Sequence, residues 1–180
     1  MNSLRLHLLM VMATAVLFLG ALALNELLFA RLEFVRGVNW IYLPAGIRLL
    51  CTLLFGEAGA IGLLLVSWAV CFFYFFPDDV VRSFMGGILA SAAPYLVYRI
   101  MQRHAGLEAT LKNLTPVRLL WCATAFAIAS PVLHHLWFAV SDPGRALFPS
   151  FVAMAIGDLT GSLLILYLAK MILALLPARR

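Results

Sequence analysis

The sequence predicts an all-α, polytopic membrane protein with about six transmembrane helices in one bundle. Three observations predict it. Of the 180 residues, 64% are hydrophobic and only 12% charged, against roughly 45–50% and about 25% in a soluble domain. Mean hydropathy is +1.02. Several apolar runs reach the ~20 residues that a bilayer crossing needs. So much of the chain is committed to spans that no separate soluble enzyme domain fits beside them, and residues 1–180 read as one integral membrane domain.

The spans fall at about 8–30, 40–55, 58–76, 84–101, 117–140 and 149–175. The first follows Arg5 and carries "ALA" at 21–23 after its apolar stretch. It has a signal-peptide look and is expected to remain as a signal anchor and first span. The second is short, and Pro44 and Gly46 interrupt it. A short, broken span is tolerated where its bare backbone is enclosed by protein or lines a wet cavity. The third closes on "CFFYFFPDD" at 71–79, aromatics followed by a turn at the membrane surface. Small residues in "SFMGGILASAAP" open the fourth and suit close helix packing. The connection at 102–116 is the longest polar stretch, and a short surface helix is expected there. Cys51, Cys71 and Cys122 lie in apolar runs without metal-type spacing and read as small buried residues.

The net charge of +5 would suggest nucleic acid in a soluble protein. Here the basic residues sit at segment ends, where orientation explains them, and no nucleic-acid partner is expected. With the N-terminus inside, Arg5, Arg99, Arg103, Lys112, Arg118, Lys170, Arg179 and Arg180 face the cytoplasm. Arg31, Arg36, Arg82 and Arg145 face outward. The excess predicts a multi-pass protein of the bacterial inner membrane with both termini cytoplasmic. Its partners are the bilayer itself and a protein in the membrane or at the cytoplasmic face.

The candidate site comes from polar residues inside these spans. Asp158 lies nine residues after Pro149, about 13 Å down a helix rising ~1.5 Å per residue. Arg48 lies eight residues after Trp40, at about 12 Å; His134 and Glu26, beside Asn25, are about 9 and 8 Å deep. Four helices thus carry polar residues at one level of the outer half of the bilayer. Arginine keeps its proton in proteins, so Arg48 needs a carboxylate or an anionic ligand. Asp158 is the favoured partner in a buried ion pair, leaving Glu26, Asn25 and His134 to meet a ligand or water. Gly157 and Gly161 would let a neighbouring helix approach Asp158 closely. No nucleophile elbow, HExxH or P-loop occurs, so no catalytic residues are assigned and the chain is not read as an enzyme. His134 and His135 point about 100° apart on a helix, so only one faces a given site. That argues against haem or metal, and no cofactor is expected.

The stretch "NWIYLPAGIRLLCTLLFGEAGAIGLLLVSW" at 39–68 and the Gly-Asp-x-x-Gly at 157–161 carry a family resemblance. They resemble the membrane-associated sensor domain of the first type, found at the N-termini of diguanylate cyclases and sensor histidine kinases. The matching residues are Trp40, Pro44, Gly46, Ile47, Gly56, Gly157, Asp158 and Gly161, and the resemblance covers about residues 38–170. It implies a multi-helix sensor whose last helix signals to a cytoplasmic output domain. The sequence ends at Arg180 with no cyclase or kinase, which departs from that pattern. The expectation is therefore a stand-alone sensor-like module that binds a small ligand or a partner protein. The alternatives are a substrate-binding subunit of a small-molecule uptake transporter, or a non-catalytic accessory subunit of a larger membrane complex.

Overall fold

The computed structural model describes residues 3–108 and 110–175; Arg179 and Arg180, counted above for orientation, lie outside the described residues. Six helices follow one another: α1 (Ser3–Phe29), α2 (Leu43–Phe55), α3 (Glu57–Val70), α4 (Val80–His104), α5 (Pro116–Ser141) and α6 (Leu147–Leu175). The fold is an all-α bundle. Five of its segments are long and apolar enough to cross a membrane, and the chain is a multi-pass membrane protein. Between α1 and α2 lies a small antiparallel hairpin, β1 (Glu33–Val35) and β2 (Val38–Asn39).

Local chemistry sets each boundary. The Asp79 side chain accepts a bond from Arg82 N at 2.9 Å and caps α4. Thr115 caps α5 through Arg118 N at 3.2 Å, with Pro116 in the first turn, where its missing N–H costs nothing. Between α2 and α3 stands the single residue Gly56, at φ +55° and ψ −122°. That backbone region is open to glycine and strained for a residue with a Cβ, so the chain reverses there in one residue. After α3 a π-helical turn over Cys71–Phe75 carries the aromatic run toward the start of α4. Ser83 Oγ donates to the Cys71 and Phe76 carbonyls at 2.9 and 2.8 Å and holds this turn against α4.

Among its described residues, the polar connection after α4 forms no surface helix. α4 itself continues to His104, and among the described residues of 105–115 only turns occur. Gly106 at φ +63° turns the chain, and Asn113 fastens the loop by donating to Gly106 O at 2.7 Å and accepting from Glu108 N at 3.0 Å.

α2 is the centre of the bundle. It packs against all five other helices, and ten of its thirteen residues are buried. α1, α3, α4, α5 and α6 surround it, each of α3 to α6 touching its neighbour in this series. Thirteen residues make a helix only about 20 Å long, against a hydrocarbon core of about 30 Å. Enclosure by the other helices is what allows a short helix at this depth. The outward faces of the surrounding helices are apolar, as with Leu27, Val16 and Leu8 on α1, and suit contact with lipid. The free thiols of Cys51, Cys71 and Cys122 are buried.

Candidate functional site

The extended segment between the hairpin and α2 prepares the site, because each of its polar backbone groups needs a partner away from water. Trp40 N donates to Leu32 O at 2.9 Å, and Tyr42 N to Gly157 O at 3.2 Å. Leu43 N, the first N–H of α2, donates to the Asn25 side-chain oxygen at 2.8 Å. The Trp40 carbonyl accepts from Thr160 Oγ1 at 3.3 Å. Asn25 therefore caps α2 from a neighbouring helix and does not line the cavity described below.

Such close seating of backbone on α6 requires glycine. A Cβ at Gly157 would collide with the Asn39 carbonyl, and one at Gly161 with the Tyr42 carbonyl. One turn into α2, a Cβ on Gly46 would meet Ile165 Cβ at 2.5 Å and Gly161 O at 2.7 Å. Pro44, fully buried, occupies the first turn of α2, where proline fits. Trp40 stays 37% exposed at the hairpin end, edge-on to Phe34 at 5.9 Å, and does not line the cavity.

Behind this contact lies a partly enclosed cavity. Arg48 of α2, His134 of α5 and Asp158 of α6 all line it, together with Asn39 and Tyr42. Phe75, Phe76, Trp137 and Phe138 form aromatic walls, and Arg36 and Arg82 line it from the hairpin end. Its void is about 690 Å³ including the open mouth, and the centre of a water-sized particle can occupy about 60 Å³ of it. Three of the five intramembrane polar candidates thus meet. Glu26, half-buried, does not line the cavity, although it neighbours Asn25 in sequence.

The direct Arg48–Asp158 pair expected from the sequence is not made. Among the described residues no carboxylate oxygen lies within 4.0 Å of Arg48. Instead the guanidinium lies over the rings of Phe18 and Tyr42, at 5.4 and 5.2 Å from their centroids. Its one hydrogen bond runs from Nη2 to Tyr42 Oη at 3.5 Å, a long one, and Nε has no partner. Asp158 is 1% exposed, and its Oδ2 also lacks a partner. The two groups share the cavity without touching.

His134 Nδ1 lies 2.8 Å from the Ser130 carbonyl, which can only accept, so Nδ1 carries a proton and Nε2 is the nitrogen left for other partners. His135 turns elsewhere: Nδ1 bonds to Pro131 O at 2.8 Å, and the ring packs edge-on to Phe138 and Phe151. Among the described residues no three His, Cys, Asp or Glu side chains come together as a metal set.

Sequence reasoning placed Arg36 and Arg82 outside only as orientation signals. Arg36 reaches the cavity because it donates to the Tyr74 and Phe75 carbonyls at 2.8 and 3.5 Å, across 38 and 39 residues. Arg82 lies over the Phe76 ring at 4.3 Å, with its Nη2 3.8 Å from Asp142 Oδ2. The aromatic run at 72–76 was the one local signal that a ring-lined surface lay nearby. Comparison with protein-family models, with characterised proteins and with solved structures finds no match to this chain.

Proposed function

We propose that the chain is a non-catalytic, sensor-like membrane module that takes a small ligand into the cavity between α2, α4, α5 and α6. One observation carries this reading. Arg48 Nε, Asp158 Oδ2 and Trp137 Nε1 belong to residues lining one cavity, and each is buried without a hydrogen-bond partner. Buried polar groups are nearly always satisfied, so unsatisfied ones beside a void call for an occupant, water or ligand. The Pro-x-Gly-Ile and Gly-Asp-x-x-Gly resemblance favours sensing as the use of that occupant. On the Lys and Arg distribution the protein sits in the bacterial inner membrane with both termini cytoplasmic and the cavity opening outward. Occupancy would then be read by a protein partner at the cytoplasmic face.

Thermal unfolding of the purified, detergent-solubilised protein tests this reading, for wild type, Arg48→Ala, Asp158→Ala and the double variant. Each is heated with and without a bacterial metabolite and lipid extract. Ligand binding predicts that the extract raises the wild-type Tm and no longer raises that of the single variants. If both singles unfold early, the double recovers and the extract stabilises none of them, the groups are a structural pair and the reading fails.

A further inference from the structure

Resting on that reading, we infer that the cavity is a site for a small planar oxyanion of the carboxylate class, held at Arg48. The charge balance is the first argument. Three guanidinium groups line the cavity against one carboxylate, that of Asp158. Two of the three are engaged at the mouth, Arg82 with Asp142 at 3.8 Å and Arg36 with the Tyr74 and Phe75 carbonyls. Arg48 is 7% exposed, keeps its proton, and has no carboxylate within 4.0 Å among the described residues. A buried guanidinium with no carboxylate in contact is unfavourable, and with three guanidinium groups to one carboxylate around the cavity an anion in the void supplies the contact that Asp158 does not make.

Geometry gives the shape of that counter-charge. Phe18 and Tyr42 lie against the guanidinium, while its N–H groups radiate in its own plane. A partner must approach that edge, and a planar carboxylate matches the fork with two parallel bonds, as a spherical ion does not. Size agrees. The void is about 690 Å³ including the mouth, with about 60 Å³ open to a water's centre, which admits a small acid and not a bulky one. A longer acid would set its apolar tail against the aromatic walls, Phe75 and Phe138 among them. Asp158 limits the site to one anion: its carboxylate repels a second negative group, and its removal should tighten binding.

The probe is sodium acetate, measured by Tm on the full chain in uncharged detergent. The comparisons are sodium chloride at equal ionic strength and acetamide, the neutral isostere. Acetate should raise Tm saturably by roughly 5 °C, while chloride and acetamide leave it unchanged. Arg48→Gln should abolish the effect, Arg48→Lys should weaken it about tenfold through loss of the fork, and Asp158→Asn should lower the half-saturating concentration. Should Arg48→Gln fail to fold, the opposite-signed Asp158→Asn variant still decides. The inference is overturned if acetate behaves like acetamide or chloride, or if Asp158→Asn weakens its effect or leaves it unchanged. An extract that stabilises the wild type where acetate does not would sink the oxyanion while sparing the ligand-binding reading; failure of both sinks both. Repeating the titration in phosphatidylcholine vesicles with and without phosphatidylglycerol separates two sources. Equal effects support a free carboxylate, whereas loss of the acetate effect with phosphatidylglycerol would replace it by a lipid phosphate.

Discussion

Replacing Gly161 by alanine adds one methyl group at the tightest contact beside the site. That methyl would fall on the Tyr42 carbonyl and lie 3.0 Å from Leu43 N. Both are backbone atoms and cannot swing away as a side-chain tip can. To restore a C···O contact of about 3.3 Å, the 40–43 backbone must retreat from α6 by more than about an ångström. The Tyr42 N–Gly157 O bond, already 3.2 Å long, does not survive such a shift. Overpacking costs about 1–3 kcal/mol, and the lost hydrogen bond about 0.5–1.5 kcal/mol, so the total is roughly 2–4 kcal/mol. For a chain of this size that corresponds to an apparent Tm lower by roughly 5–15 °C at a fixed scan rate. Gly20→Ala is the internal control. It lies on an exposed part of α1 with nothing within 4 Å of the added Cβ, and helix propensity should make it neutral or stabilising by up to about 1 kcal/mol. A Gly161→Ala protein melting with the wild type, or with Gly20→Ala, would refute the close seating of the 40–43 backbone on α6.

Two further perturbations probe the same architecture. Asn25→Ala removes the acceptor for Leu43 N and should cost about 1–3 kcal/mol as a buried unsatisfied N–H; a stability equal to wild type in the same melts would show that another group caps α2. Gly56→Ala forces a Cβ into φ +55°, ψ −122° and 3.3 Å from Tyr98 Oη. It should cost about 1–3 kcal/mol and raise the rate of limited proteolysis at the α2–α3 turn, a rate that would not change if the turn were free to relax.

The six helices were legible as apolar runs, but their ends were not: α4 begins at Val80, behind the Asp79 cap, and not at 84. Asp79 and Thr115 cap helices, Pro116 begins one, and Gly56 ends one, each at the edge of an apolar run. The central position of α2 was not legible, since its apolar residues could have faced lipid as readily as other helices. The site was half legible for a related reason. Counting residues from the membrane surface gives depth and says nothing about direction around the helix axis. Asn25 and Glu26 share a depth, yet Asn25 turns inward to Leu43 N while Glu26 stays half-exposed away from the cavity. Arg48 and Asp158 also share a depth and here line one cavity, but the guanidinium lies over the rings of Phe18 and Tyr42 and not against the carboxylate. Opposite charges at one level, the sequence's argument for a direct pair, leave that steric detail out.

The glycines and the aspartate of α6 form one device rather than two. Gly157 and Gly161 let the 39–43 backbone lie directly on the helix, and that approach brings Tyr42 and the start of α2 against α6. Arg48, five residues into α2, is therefore placed by the same contact that surrounds Asp158. A Cβ that forces the segment outward should also shift Arg48 in the cavity lining. Loss of ligand response should then accompany loss of stability in Gly161→Ala, and relief of the collision, not restoration of charge, should recover both.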